Sequence, residues 1–189
     1  RGNVLSRKGI PIIFWHRNPN TIDRILKTGK HYLVEDLEFA KNVKFTNDIS
    51  FAIESSPIVV LAIPSQSIRK LLIENNTVFN NKKTIVTVSK GIEVDSLMTM
   101  SEVINDVYGK CYKKTVVLSG PSHAEEVVKK FPTTLVASSK NENASKTIQK
   151  LFSNGYLRTY LNMDVKGVEI GGAMKNVMAI AAGICDGIN

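Results

Sequence analysis

Short apolar runs alternate with stretches whose apolar residues recur every three or four positions, from residue 10 to the end of the chain. Residues 10–15, 43–45, 57–63, 84–88, 115–118, 133–137 and 156–160 are compact runs rich in β-branched side chains and predict strands. Between them, residues 21–30, 48–54, 65–73, 95–107, 122–130 and 142–151 predict helices. Residues 165–184 give the longest helical pattern, with Val165, Val168, Ala173, Val177, Ala181 and Ile184 at helical spacing, and predict a buried helix. Residues 57–63 (Pro-Ile-Val-Val-Leu-Ala-Ile) are apolar almost throughout, as a strand covered on both faces must be. Residues 33–44 are mixed and charged and predict a surface excursion, while residues 3–8 read as the tail of a helix.

This alternation predicts an α/β fold: a Rossmann-like, mainly parallel sheet with helices on both faces. Near Asn162 to Asp164 strand-sized alternation gives way to the long helix, whose start either residue can cap. The expected division is therefore residues 1–163 and 164–189. A length of 189 residues and an apolar fraction of 43% allow one domain with a real core plus part of a second. The net charge of +8 comes from scattered lysines; the pairs Lys82-Lys83, Lys113-Lys114 and Lys129-Lys130 fall at element edges and predict solvated surface. Such charge attracts small phosphorylated molecules or nucleic acid, but no basic stripe interleaved with aromatics supports nucleic acid. Cys111 and Cys185 lack metal-ligand spacing and fit a reducing, cytoplasmic setting, although a long-range disulfide stays open. The most apolar stretch, residues 170–184, is interrupted by Lys175 and Asn176, so no membrane insertion is expected.

In an open parallel sheet, ligands bind beyond the carboxyl ends of the strands. Four expected strand ends run into His16-Arg17-Asn18, Pro64-Ser65, Ser89-Lys90-Gly91 and Ser119-Gly120-Pro121-Ser122. Lys90 either meets a phosphate or substrate hydroxyl there, or is a solvated loop lysine. The Ser119–Ser122 turn either holds an anion at a helix start or simply caps it through Ser122. Arg17 either accepts the ribose phosphate of NADP or sits on the surface. Lys175, inside an apolar helix beside Gly171, Gly172, Met178 and Ala179, reads as a desolvated base of lowered pKa or as a lysine that snorkels to solvent. The chain has no G-x-G-x-x-G, so a first strand and phosphate loop are expected to precede Arg1.

Three linked segments carry a resemblance. Ser89-Lys90-Gly91-Ile92-Glu93 is the first. Leu118-Ser119-Gly120-Pro121-Ser122 with Ala124-Glu125-Glu126 is the second. The third is Gly167-Val168-Glu169-Ile170-Gly171-Gly172-Ala173-Met174-Lys175-Asn176-Val177 with Ala179-Ile180-Ala181-Ala182-Gly183. In order and spacing they resemble the bacterial type of NAD(P)-dependent glycerol-3-phosphate dehydrogenase. The resemblance implies oxidoreduction between sn-glycerol 3-phosphate and dihydroxyacetone phosphate, supplying glycerophospholipid synthesis. It implies NAD or NADP as cofactor, with Arg17 favouring NADP, and allows a homodimer. Lys175 is then the catalytic base. Lys90, Gly120, Ser122 and Asn176 contact substrate, while Arg17, Lys90 and Ala124 contact cofactor; Trp15 packs at a strand end. Residues 164–189 become the first long helix of an all-α substrate domain, and this polypeptide alone is expected to be inactive. The competing readings are a reductase of the 6-phosphogluconate dehydrogenase or ketopantoate reductase type, and a non-catalytic basic nucleotide-binding module.

Overall fold

The computed structural model describes residues 2–31, 34–79, 83–109 and 114–188; Cys111, Lys82 and Lys113 lie outside them. A five-stranded sheet forms the body, in the order β5 (Ile58–Leu61), β6 (Thr84–Thr87), β7 (Thr115–Ser119), β8 (Thr133–Ser138), β9 (Leu157–Asn162). Its neighbours pair in parallel except β7 and β8, which run antiparallel. A second parallel pair joins β1 (Ile12–Trp15) to β4 (Val43–Thr46). The sheet is thus mainly parallel, with helices on both faces, as the alternation predicts.

The strand sequences dictate the two-sided core. On β6, Ile85 and Val86 are both fully buried but point to opposite faces. Ile85 packs with Ile68 and Leu72 of α4 (Ile68–Glu74) and with Met100, Val103 and Ile104 of α5 (Met100–Tyr108). Val86 packs with Leu118, Leu135, and Ile148 and Phe152 of α7 (Glu142–Phe152). Each such side chain contributes about 1.5–3 kcal/mol by leaving water.

Caps set the helix boundaries. Asn18, Asp48 and Asn141 accept backbone N–H bonds at the starts of α2 (Pro19–Thr28), α3 (Ile49–Glu54) and α7. Gly29, at φ 67°, closes α2. Helix α5 begins at Met100, later than the pattern predicts, because Thr99 and Glu102 form a reciprocal capping box there. Residues 33–44, expected as an excursion, contain the charged strand β3 (Val34–Glu38), antiparallel to β2 (Lys30–His31). Its sequence, Val-Glu-Asp-Leu-Glu, offers little apolar signal.

One lysine is not the solvated charge that its position suggests, and a second, exposed one is also held by backbone carbonyls. Lys83 is 7% exposed and donates to Glu54 O (3.3 Å) and Ser56 O (2.9 Å), the carbonyl end of α3. Lys8 donates to Lys150 O, Leu151 O and Ser153 O, the same end of α7. Both complete carbonyls that a helix terminus leaves open.

The last helix, α8 (Val165–Ile188), starts where expected: Asp164 Oδ1 accepts from Gly167 N at 2.9 Å, so Asp164 is the cap. The expected burial does not follow. Glu169 is its only buried residue among those described, while Met178, Ile180, Ile184 and Ile188 are 56–80% exposed. Among the described residues, the contacts with the body run along the first half of the helix, from Lys166 to Lys175, and the apolar side chains beyond are exposed. By length and composition alone the helix also suffices to cross a membrane.

Candidate functional site

The ends of β5, β6 and β7 converge through three loops held by backbone geometry. Ser89 donates to Ile63 O at 2.6 Å, tying the loop after β6 to that after β5. Gly91 has φ +136°, and a β-carbon there would lie 2.7 Å from Ser65 Oγ. Gly120 has φ +149°, and its β-carbon would stand 2.5 Å from Thr134 O, a backbone atom that cannot rotate away. Only glycine meets both demands at these corners.

The loop between β6 and α5 is braced from below. Gln66 donates to Ile92 O at 2.8 Å and accepts from Val94 N at 3.1 Å. Arg69 Nε donates to both oxygens of Glu93 at 3.0 Å, and its Nη1 donates to Asp106 at 2.5 Å. Glu93 is 7% exposed; the Arg69 guanidinium, helped by the Ser96 hydroxyl, holds its carboxyl below the usual range, and the pairing raises Arg69 in turn. A charged pair this well bonded fixes the loop in one shape.

Lys90 stands on that loop and donates to Gly120 O at 2.9 Å, which brings two of the expected residues together. Helix α8 approaches the same corner. At Gly172 a β-carbon would lie 2.7 Å from Ser119 Oγ and 3.8 Å from Lys90 Cγ, so the missing side chain allows the close approach; Gly171 meets nothing within 4 Å. One turn on, Lys175 Nζ lies 3.3 Å from His123 Nε2. An ammonium there donates to an imidazole that carries its own proton on Nδ1. Lys90 and Lys175 therefore flank a single turn, residues 119–123.

The expected desolvation of Lys175 is corrected. The residue is only partly buried, because the helix around it is open on its far side. Asn176 is exposed. Ser122 does not cap the next helix: α6 (Ala124–Val128) takes His123 as its N-cap, and Ser122 Oγ points back to Gly120 O at 3.5 Å. Ala124, first in α6, lines with Ser122, Arg7, Ile12, Phe14 and Ala62 a cavity of about 440 Å³. Arg17 is not part of this corner. It lies beyond β1 in a separate open cleft with His16, Asn18, Asn20, Thr21 and Arg24. Trp15, at the end of β1, donates from its indole to Asn47 O at 3.1 Å.

Sequence reasoning passed over His123, Arg24 and Glu169. Arg24 lies one turn beyond Asn20, on a helix that starts at the strand end, so its spacing could have placed it. Glu169 stands among apolar residues in the first half of α8. Its Oε1 accepts from Ser101 N at 2.8 Å and its Oε2 from Ser101 Oγ at 2.6 Å. Burial pushes its pKa above the usual range, against the pull of the Ser101 and Thr99 hydrogen bonds.

The described residues thus set a basic cleft beyond β1 and two primary amines around the turn after β7. The model of the NAD-dependent glycerol-3-phosphate dehydrogenase N-terminus matches residues 2–145, and that of the C-terminus matches residues 164–189. Glycerol-3-phosphate dehydrogenase [NAD(P)+] of Staphylococcus epidermidis is 43% identical over 189 residues, which are 98% of this chain and 57% of that protein. The same enzyme of Staphylococcus aureus is 43% identical over 192 residues, again covering 98% and 57%. The crystal structure of glycerol-3-phosphate dehydrogenase from Coxiella burnetii superposes with a TM-score of 0.88 at 28% identity, covering 98% of this chain and 57% of that one. The chain thus spans little more than half the length of the relatives it matches, and it belongs to the NAD-dependent glycerol-3-phosphate dehydrogenase family.

Proposed function

We propose that the native polypeptide bearing this sequence interconverts sn-glycerol 3-phosphate and dihydroxyacetone phosphate with NAD(P), and that Lys175 is its acid–base residue. The observation that carries this reading is the convergence of Lys175 and Lys90 on the turn between Ser119 and His123. When bound, the nicotinamide supplies or receives the hydride. The chain's task is to hold the substrate's C2 and move one proton. In the oxidation direction Lys175, as free amine, takes the proton of the C2 hydroxyl; in reduction its ammonium returns a proton to the developing alkoxide. Lys90, held on Gly120 O, keeps a cationic donor beside the substrate oxygens. Gly120 and Ser122 shape the turn against which the substrate rests, and Asn176, next to Lys175, adds an amide. His123 accepts from the Lys175 ammonium and orients it.

The cofactor's adenosine end belongs beside Arg17, and Ala124 gives its backbone room at the start of α6. Arg17, Arg24 and His16 together support NADP, since two guanidiniums suit a ribose phosphate. Residues 1–163 act as the nucleotide-binding unit and residues 164–189 open a helical substrate unit, a division supported by the two family models. We read α8 as a packing helix and not a membrane span, because its polar side chains bond to the sheet body. A cytoplasmic setting and supply of glycerophospholipid synthesis accord with the family.

Steady-state oxidation of NADPH and NADH by the native polypeptide tests the reading. Turnover with dihydroxyacetone phosphate, faster with NADPH, is expected; turnover only with 6-phosphogluconate or ketopantoate overturns it. Replacing Arg17 and Arg24 by alanine should raise KM for NADPH at least ~10-fold and leave KM for NADH nearly unchanged, as loss of charge-assisted phosphate bonds predicts.

A further inference from the structure

Helix α8 meets the body through a regular series of contacts. Lys166 Nζ donates to Glu102 Oε1 at 2.8 Å. Glu169 accepts twice from Ser101. Gly172 abuts Ser119 and Lys90, and Lys175 reaches His123. These positions advance by three residues, so the stripe winds about 60° around the helix per step. Of the four, only Glu169 is buried, at 8% exposure, although apolar neighbours on the same helix lie open to water.

Burying a carboxylate is costly unless its bonds perform a task that apolar contacts cannot. Apolar packing lets a helix slide or turn by a fraction of a residue. Two hydrogen bonds from one serine to both oxygens of one carboxylate do not. Ser101 lies in the first turn of α5, where backbone N–H groups and the helix dipole favour a negative charge. Glu102 in the same turn is already engaged by Thr99 N and Lys166, leaving Ser101 N–H to Glu169.

We propose that Glu169 is a positioning residue for Lys175: by locking onto the N–H and hydroxyl of Ser101 it fixes the height and rotation of α8, and so places the amine six residues on against the turn that holds Gly120 and His123. The proposal rests on the reading of Lys175 as the acid–base residue. It concerns kcat, because Glu169 touches the helix and not the ligands.

The test uses E169Q, E169A, S101A, K175A and the double variant E169A/K175A of the native polypeptide, with kcat, KM for NADPH and thermal midpoint measured for each. E169A should lower kcat about 100-fold, as a displacement near 1 Å of a reacting group does. Its KM for NADPH should stay within ~2-fold, since the nucleotide cleft is untouched. E169Q keeps an acceptor for Ser101 N and should retain kcat within ~3-fold; S101A, which leaves the N–H, should lose about 10-fold. In the K175A background, E169A should bring no further loss, the signature of two residues acting as one unit. Retained kcat in E169A overturns the proposal, as does a loss of equal size with and without Lys175. If E169A does not fold, S101A with unchanged kcat overturns it instead. Full activity of K175A is a separate outcome: it removes the acid–base reading and the proposal with it, whereas an inactive K175A beside a fully active E169A removes the positioning role alone.

Discussion

The five-stranded body and the helix α8 are held by opposite means. In the body, Ile85, Val86, Leu118 and Leu135 are wholly withdrawn from water on the two faces of one sheet. Among the described residues, α8 meets the body through polar side chains, and a carboxylate is the one it buries. Hydrophobic burial is strong but tolerant of small shifts, and it suits a scaffold. Directional bonds between few atoms add less to stability but specify position, which suits the element that carries Lys175. The contrast extends to charge. In the body Glu93 is ionised against Arg69, while on α8 burial opposes ionisation of Glu169.

The largest expected effect separates the two regions by function. Lys175→Ala should lower kcat by about 10³-fold or more, as loss of a general base does, while the thermal midpoint moves by less than ~2 °C because the side chain is not in the core. A collapse of the midpoint would show α8 to be part of the scaffold. Gly120→Ala attacks the scaffold where it shapes the site. Its φ of +149° and the 2.5 Å approach to Thr134 O should cost about 2–4 kcal/mol, read from urea unfolding. Arg69→Met comes next, leaving Glu93 buried without its cation at a cost of about 2 kcal/mol by the same measurement.

The smallest effect is in the pH dependence, and its sign differs between the regions. The folded pKa of Glu93 is depressed, so the unfolded chain binds more protons below the ordinary carboxylate range. Its contribution is present above about pH 4.3 and is lost as pH falls through the depressed value. Glu169 has a raised folded pKa, so its contribution is full below about pH 4.3 and declines as pH rises through the raised value. Denaturation curves between acid and neutral pH should therefore show a shallower acid limb in Arg69→Met and a flatter neutral side in E169Q. Equal slopes in the wild type and both variants would remove the contrast.

How much of this was legible depends on which force placed each residue. Strands such as Ile58–Leu61 and Thr84–Thr87 announce themselves because two-sided burial demands unbroken β-branched runs. Lys90, Gly120 and Lys175 were found through motif order, and the fold does bring them to one corner. Arg17, from the same reading, lies in another cleft. The periodicity of α8 reports which side chains are apolar and not what covers them, and among the described residues the body bonds to it from Lys166 to Lys175. Glu169 went unremarked for the converse reason: its partner is a backbone N–H 68 residues away, and no local pattern encodes that. Strand β3 escaped notice because charged residues fill it.

The lysines that close helices have a consequence for how the molecule meets polyanions. Lys8 and Lys83 spend their ammoniums on peptide carbonyls at the ends of α7 and α3. A formal count of +8 includes both in full, yet Lys83, buried on its carbonyls, is not at liberty to displace counterions from a phosphate backbone. Ionic-strength titrations on heparin should thus give a gentler slope than the formal count suggests.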